Sequence, residues 1–149
     1  MSLDQTPIES PTEWVADHVR RYVETDGQDG HLFRGKYPAL VLTTLGRKSG
    51  KPRRLALIYG RDGDNYVVVA SKGGAPKHPE WYLNLRAHPE VKVQVMADRF
   101  YANARPATPE EYGALWDKMV EIFPPYAEYQ QKTDRKIPIV ILEPVRPAE

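Results

Sequence analysis

A chain of 149 residues is long enough to bury one core, and its 41% hydrophobic and 28% charged residues with a net charge of +1 describe an ordinary globular protein, without the basic excess of a dedicated nucleic-acid binder. The absence of cysteine excludes disulfides, thiolate catalysis and Cys-ligated zinc, and it suits a reducing cytoplasm. The acidic, polar N-terminus offers no apolar segment for a signal peptide, and no run of about 18 apolar residues exists to span a membrane.

Residues 1–11 read as a flexible tail, which leaves 12–149 as a single domain. Thr12 is placed to cap a helix over 13–24, with Trp14, Val15, Val19, Tyr22 and Val23 on one stripe docked against the core. Contact at a membrane surface is possible but not required, and the mix of acids and bases on the helix's other face lacks the basic bias of membrane-surface helices. Residues 25–37, with three glycines, form a loop. Strands are expected at 39–45 and 54–59 around a turn at 46–52, and at 66–71 after the Asp62-Gly63 hairpin turn. A glycine loop over 72–75 leads to Pro79, which suits the first position of a short helix ending near His88-Pro89. Residues 91–96 alternate Val and polar side chains as a half-buried strand, and 99–105 pairs with it. Thr108-Pro109-Glu110-Glu111 combines a cap, a first-turn proline and a glutamate three residues after the cap, so a helix starts there and runs to Phe123, where Pro124-Pro125 stops it. A short aromatic helix over 126–132 and a strand over 137–142 complete the chain. The expected fold is mainly β with α: about six strands in a small closed or partly closed barrel with peripheral helices, because closure removes sheet edges.

The charge of this near-neutral chain is lopsided in one place. Between Gly30 and Arg61 there is no Asp or Glu, yet there are eight Lys or Arg, five of them within 47–54. Gly46 and Gly50 expose backbone N–H groups and Ser49 adds a hydroxyl, which are the parts needed to hold phosphate or carboxylate groups. A solvated basic hairpin is the plainer reading of the same residues. Gly46-Arg47-Lys48-Ser49-Gly50-Lys51 is not a nucleoside-triphosphate loop, since only three residues separate the glycines and Pro52 follows the lysine. No Gly-x-Gly-x-x-Gly follows a strand, which argues against a Rossmann nicotinamide site.

Ala70-Ser71-Lys72-Gly73-Gly74 ends a strand in a hydroxyl and two glycines, either to bring bare backbone against a flat ring or simply as a strand exit. In Trp81-Tyr82-Leu83-Asn84-Leu85, Trp81 and Leu85 lie four apart on one packing face. Tyr126 and Tyr129, three apart near Phe123, read as core aromatics or as a lid over a pocket. The four histidines show no ligand spacing, so no metal site is expected, and no nucleophile elbow is present.

In this order, and followed by Tyr126, Tyr129 and Thr133-Asp134-Arg135-Lys136-Ile137-Pro138, these strings resemble the deazaflavin-dependent nitroreductase and quinone reductase family of actinobacteria, which uses coenzyme F420. The resemblance covers residues 32–144. It implies a split β-barrel of the flavin-reductase, FMN-binding type. It further implies that Lys48, Ser49 and Arg53 hold the phosphate and acidic tail of the cofactor, with Arg47 and Arg54 as helpers. Leu57, Ile58, Val69, Ala70, Ser71 and Lys72, with Trp81, Tyr82, Leu83 and Asn84, match positions lining the deazaflavin ring. Tyr126 and Tyr129 match tyrosines on the substrate side, and Ser71 or Tyr126 would donate to charge developing on the acceptor. Two departures stand out: Phe123 replaces a tyrosine of some relatives, and the 54–57 strand lacks their Asn-Pro.

The activity implied is hydride transfer from reduced deazaflavin to a quinone, nitroaromatic or similar acceptor in the cytoplasm. A position at the inner face of the membrane is compatible with the sequence, and oligomeric state is left open. Two other classes use the same residues. One is an FMN-binding split-barrel oxidoreductase. The other is a non-enzymatic module, either a cofactor carrier or a nucleic-acid binder stacking bases on Tyr59 and Tyr66 beside the basic hairpin.

Overall fold

The computed structural model describes residues 3–148. Helix α1 spans Glu13–Glu24; strands β1 (Leu32–Phe33), β2 (Tyr37–Leu45), β3 (Pro52–Ile58), β4 (Gly60–Asp62) and β5 (Asn65–Val69) follow. After a 3-10 turn at Lys72–Gly74 come α2 (Glu80–Ala87), β6 (Glu90–Val95), β7 (Asp98–Pro106), α3 (Pro109–Ile122), α4 (Pro125–Gln131) and β8 (Ile139–Pro147). The strands form one antiparallel sheet in the order β1-β2-β6-β7-β8-β5-β4, with β3 paired to β2 off that path. The architecture is α+β, a curled sheet that stops short of a closed barrel. Among the described residues eight strands replace the six expected; the additions are β1 and β4, too short to leave a periodic pattern. The last strand begins at Ile139 and continues to Pro147, beyond the expected 142.

Alternation explains how the sheet serves two cores. Tyr66 and Val68 of β5, with Val140 and Leu142 of β8, face the inside of the curl beside Leu40, Leu42, Val91, Val93 and Phe100. The intervening Val67, Val69, Ile139 and Ile141 face outward onto Leu115 and Met119 of α3 and Phe123 and Tyr126. Strands buried on both faces have no polar register, which is why these two read as continuous apolar runs. Trp81, Tyr82 and Leu85 of α2 plug one end of the inner core.

The helix α3 is set as its sequence implies. Thr108 Oγ1 accepts from Glu111 N–H (3.3 Å), and Glu111 Oε1 accepts from Thr108 N–H (2.9 Å). The same carboxylate receives both Nη atoms of Arg105 (2.7 and 3.0 Å), which pulls its pKa down to about 2. By contrast, Thr12 occupies the cap position of α1 without a side-chain cap bond. Helix α1 docks through Val19 and Tyr22, both fully buried; the Tyr22 hydroxyl donates to Ala39 O (2.9 Å) and accepts from Met96 N–H (2.8 Å). Trp14 departs from the expected stripe and is 64% exposed. Five residues before Val19, it sits about 140° around the helix from it.

The segment expected to be a flexible tail is packed along the sheet from Leu3 onward, its first two residues lying outside the described ones. Leu3 is buried, Ile8 N–H donates to Pro52 O (2.8 Å) and bridges Arg53 in parallel, and Asp4 meets Lys92 (3.3 Å) and the Tyr101 hydroxyl. Glu9 accepts from Arg54 Nε (2.6 Å). These contacts join positions far apart in sequence, so no local pattern announces them.

Candidate functional site

The basic hairpin joins β2 to β3 and is shaped by its own backbone. Gly46 and Lys51 pair (N to O, 2.8 Å), Gly50 N–H donates to Gly46 O (2.8 Å), and Ser49 Oγ accepts from Lys51 N–H (3.2 Å). Gly50 is left-handed at φ +70°, and a Cβ on Gly46 would lie 2.5 Å from Ser49 Oγ. The loop curls around a recess of about 210 Å³ lined by Arg47, Lys48, Ser49 and Arg53 together with Glu80 and Asn84 of α2.

Asn84 is the latch of this recess. It is 3% exposed; its Oδ1 accepts from Arg47 N–H (3.1 Å) and Arg47 Nη1 (3.0 Å), and its Nδ2 donates to Thr44 Oγ1 (3.4 Å). Glu80, one turn earlier, takes Arg47 Nη2 (3.2 Å). The stretch without acids is therefore met by carboxylates from elsewhere in the chain, Glu80 at Arg47 and Glu9 at Arg54.

Arg54, expected as a helper in this cluster, is not part of it. Successive side chains of a strand point to opposite faces. Arg53 pairs across from Thr44 on the recess side, while Arg54 pairs across from Thr43 and turns to Glu9 and a separate polar cavity shared with Lys92 and Arg99.

Across α2 lies the largest cavity described, about 710 Å³. Residues 55–58 all line it. Four consecutive strand residues meet one space only when that space lies along the strand's edge rather than against a face. Its other walls are Val69, Ser71, Lys72 and Gly73, then Trp81, then Phe123, Tyr126 and Tyr129, with Trp14, His18, Phe33 and Arg34 at one end. No Asp or Glu lines it. Tyr126 is 5% exposed and packs edge-on against Phe123, their centroids 4.9 Å apart. It belongs both to the outer core and to the cavity wall, so the two sequence readings of this aromatic cluster meet in one residue. Burial pushes its hydroxyl far above the usual tyrosine range, which keeps it protonated and a donor.

The structure thus brings Leu57, Ile58, Val69, Ser71, Lys72, Trp81, Tyr126 and Tyr129 around one cavity, and Arg47, Lys48, Ser49, Arg53 and Asn84 around the recess beside it. Four expected ring contacts lie outside the large cavity: Asn84 faces the recess instead, and three others line neither space. Ala70 is fully buried in the inner core. Tyr82 lies tilted against His78 (ring centroids 4.8 Å apart), accepts from Arg86 (3.1 Å) and lines a different cavity. Leu83 packs against the inner core. An α-helix cannot show four successive residues to one space. The contributions of Trp14, His18, Phe33 and Arg34 were missed; the off-stripe angle of Trp14 was the only signal for any of them. Among the described residues no helix is long and apolar enough to cross a membrane, and no group of His, Asp or Glu is arranged to hold a metal ion.

A family model described as F420H(2)-dependent quinone reductase matches residues 14–144. An F420H(2)-dependent quinone reductase of Mycobacterium tuberculosis is 44% identical over 128 residues, covering 84% of this chain and 86% of that protein. A solved structure of an F420-H2 dependent reductase (FDR-A) is 46% identical at a TM-score of 0.67, covering 76% of this chain and 98% of the other. Another, described as a domain-swapped dimer, is 44% identical at a TM-score of 0.69 and covers 90% and 100%.

Proposed function

Because the chain belongs to the F420H(2)-dependent quinone reductase family, we propose that it reduces a quinone in the large cavity with reduced deazaflavin, whose acidic tail rests on the basic hairpin. The observation that carries this reading is the adjacency of two unlike chambers across one helix. Helix α2 sends Trp81 to an apolar, carboxylate-free cavity and Asn84 to a cationic recess. A flat ring joined to a phosphodiester and carboxylates fits such a pair, whereas a wholly apolar or wholly anionic ligand would use only half of it.

The chain's own residues then divide the work. Arg53 offers a planar fork to phosphate or carboxylate oxygens, Lys48 contributes a compact charge and Ser49 a hydroxyl, while Arg47, held by Asn84 and Glu80, adds positive charge to the wall of the recess. Leu57, Ile58, Val69 and Trp81 give a flat ring apolar walls, and Gly73, without a side chain, lets backbone approach it closely. Reduced deazaflavin, when bound, supplies the hydride from a ring carbon. Tyr126 and Tyr129 face the acceptor, with the neutral Tyr126 hydroxyl and Ser71 as donors to an acceptor oxygen gaining negative charge. Solvent supplies the final proton, so no dedicated general acid is required. A nitroaromatic has the same flat, electron-poor shape and is a second acceptor class for this cavity.

Titration with reduced and oxidised deazaflavin, alongside FMN, tests the assignment. Deazaflavin should bind more tightly than FMN, which carries a single phosphate, and its affinity should fall as salt rises because exposed charges are screened. Tighter FMN binding without salt dependence would overturn the proposal in favour of an FMN-type oxidoreductase.

A further inference from the structure

The wall of the cavity at residues 71–75 is an unusual piece of backbone. Lys72, Gly73 and Gly74 are all left-handed, at φ +47°, +63° and +82°. That region is disfavoured for any residue bearing a Cβ, and Lys72 bears one. Within the turn, Gly74 N–H donates to Ser71 O (3.0 Å) and Ala75 N–H to Lys72 O (3.1 Å). The remaining restraint comes from a side chain sixty residues away in sequence.

Arg135 reaches this turn from the segment before β8 and spreads its fork over it. Its Nε donates to Ala75 O (2.8 Å), Nη2 to Ser71 O (2.6 Å), and Nη1 to Ala70 O (3.2 Å) and to His78 Nδ1 (3.1 Å). Among the described residues it makes no ion pair, whereas Arg21, Arg47, Arg54, Arg99 and Arg105 each meet a carboxylate. A cation applied to three carbonyls and an imidazole nitrogen, with no carboxylate among them, serves geometry: a planar fork fixes three carbonyl directions at once, which an ammonium cannot do.

Arg135 is itself held by the helix that carries the two tyrosines. Gln130 of α4 donates to Arg135 O (2.8 Å) and accepts from Ile137 N–H (2.9 Å). On the other side, a Cβ at Gly74 would lie 2.6 Å from Tyr129 O, so turn and helix touch backbone to backbone. Turn, helix and guanidinium form one block.

We infer that Arg135 is the positioning residue of the site, holding the strained 71–75 turn so that Ser71 and Lys72 face the cavity in register with Tyr126 and Tyr129. The link to cofactor rests on the deazaflavin reading; the link to the turn does not. The test therefore has two arms, on Arg135→Lys, which keeps charge and stem, and on Arg135→Ala. In the first arm, amide hydrogen exchange without cofactor should quicken at Gly74 and Ala75 by at least tenfold in both variants, while the amides of β5 and β8 stay protected. In the second, deazaflavin affinity followed by its fluorescence should fall about tenfold in Arg135→Ala and recover partly with millimolar guanidinium but not with ammonium. Unchanged Gly74 and Ala75 exchange in folded Arg135→Lys overturns the inference, as does exchange that quickens uniformly over the whole sheet, which would mean stability alone. If Arg135→Ala does not fold, the lysine variant carries both arms. Failure of the unaltered protein to bind deazaflavin would sink the cofactor reading and leave the exchange result to decide the positioning role.

Discussion

Replacing Asn84 should loosen the recess by an amount that the geometry sets. Asn84→Leu keeps the branching and heavy-atom count of the side chain and removes three hydrogen bonds. The bond to Arg47 Nη1 involves a charge, for which about 1.5–3 kcal/mol is typical, and the partial exposure of the Arg47 side chain (24%) favours the lower end. The bond from Arg47 N–H is neutral, about 1 kcal/mol, and the 3.4 Å contact with Thr44 adds little. Apolar burial of the leucine offsets roughly 1 kcal/mol of this. A net loss of about 2 kcal/mol follows. A double-mutant cycle sharpens the claim: Arg47→Ala deletes the side-chain bond but keeps the backbone N–H, so the cycle between Arg47→Ala and Asn84→Ala should give a coupling of about 1–1.5 kcal/mol in urea unfolding. Deazaflavin affinity should fall several-fold in Asn84→Leu, because the hairpin loses its tether. A coupling within the ~0.3–0.5 kcal/mol scatter of independent sites, together with unaltered affinity, would refute the latch.

The two neighbouring arginines of β3 should separate cleanly in titrations: Arg53→Ala weakens deazaflavin binding by roughly 1.5–3 kcal/mol, while Arg54→Ala leaves it unchanged and instead releases Glu9 and the N-terminal segment to proteolysis. Tyr126→Phe should keep both the fold and cofactor affinity yet lower acceptor turnover, whereas Tyr126→Ala should cost roughly 3–5 kcal/mol in a thermal or urea melt, since the ring is nearly buried. Equal turnover in the phenylalanine variant would confine Tyr126 to packing. The pH profile of stability should carry the mark of Glu111. Its pKa is depressed in the folded state, so its contribution is complete above about pH 4.5 and disappears as pH falls toward about 2. Glu111→Gln should lower stability at neutral pH and flatten that acid limb.

What could be read from residues alone follows the range of the interactions responsible. The cap of α3 is written within four residues, and it forms as written. Alternation in β6 and the helix at 80–87 are equally local. The order of the basic hairpin, the Ser71 turn and the two tyrosines was enough to name the elements that meet at the site. It could not say which face of β3 each arginine takes, because that strand is half-buried along most of its length and gives no alternating signal. Nor could it separate Trp81 and Asn84 from Tyr82 and Leu83 without placing the helix against its neighbours. Glu9, Glu80 and Arg135 act only through partners distant in sequence, and nothing beside them in the chain marks the partnership.

Among the described residues strand β3 has a neighbouring strand on one edge only; Ile8 bridges the start of the other edge at Pro52 and Arg53, and the large cavity runs along the rest, residues 55–58, where the sheet fails to close. Zipping that seam would satisfy more backbone and harden the domain, and it would also erase the chamber. The protein therefore keeps part of its hydrogen-bonding inventory uncommitted as the condition for having an interior that other molecules can enter. The same uncommitted edge is open to any extended polypeptide that reaches it first. Receptivity to a ligand and susceptibility to unwanted pairing are in this fold a single property, and a variant selected for one would be expected to move the other.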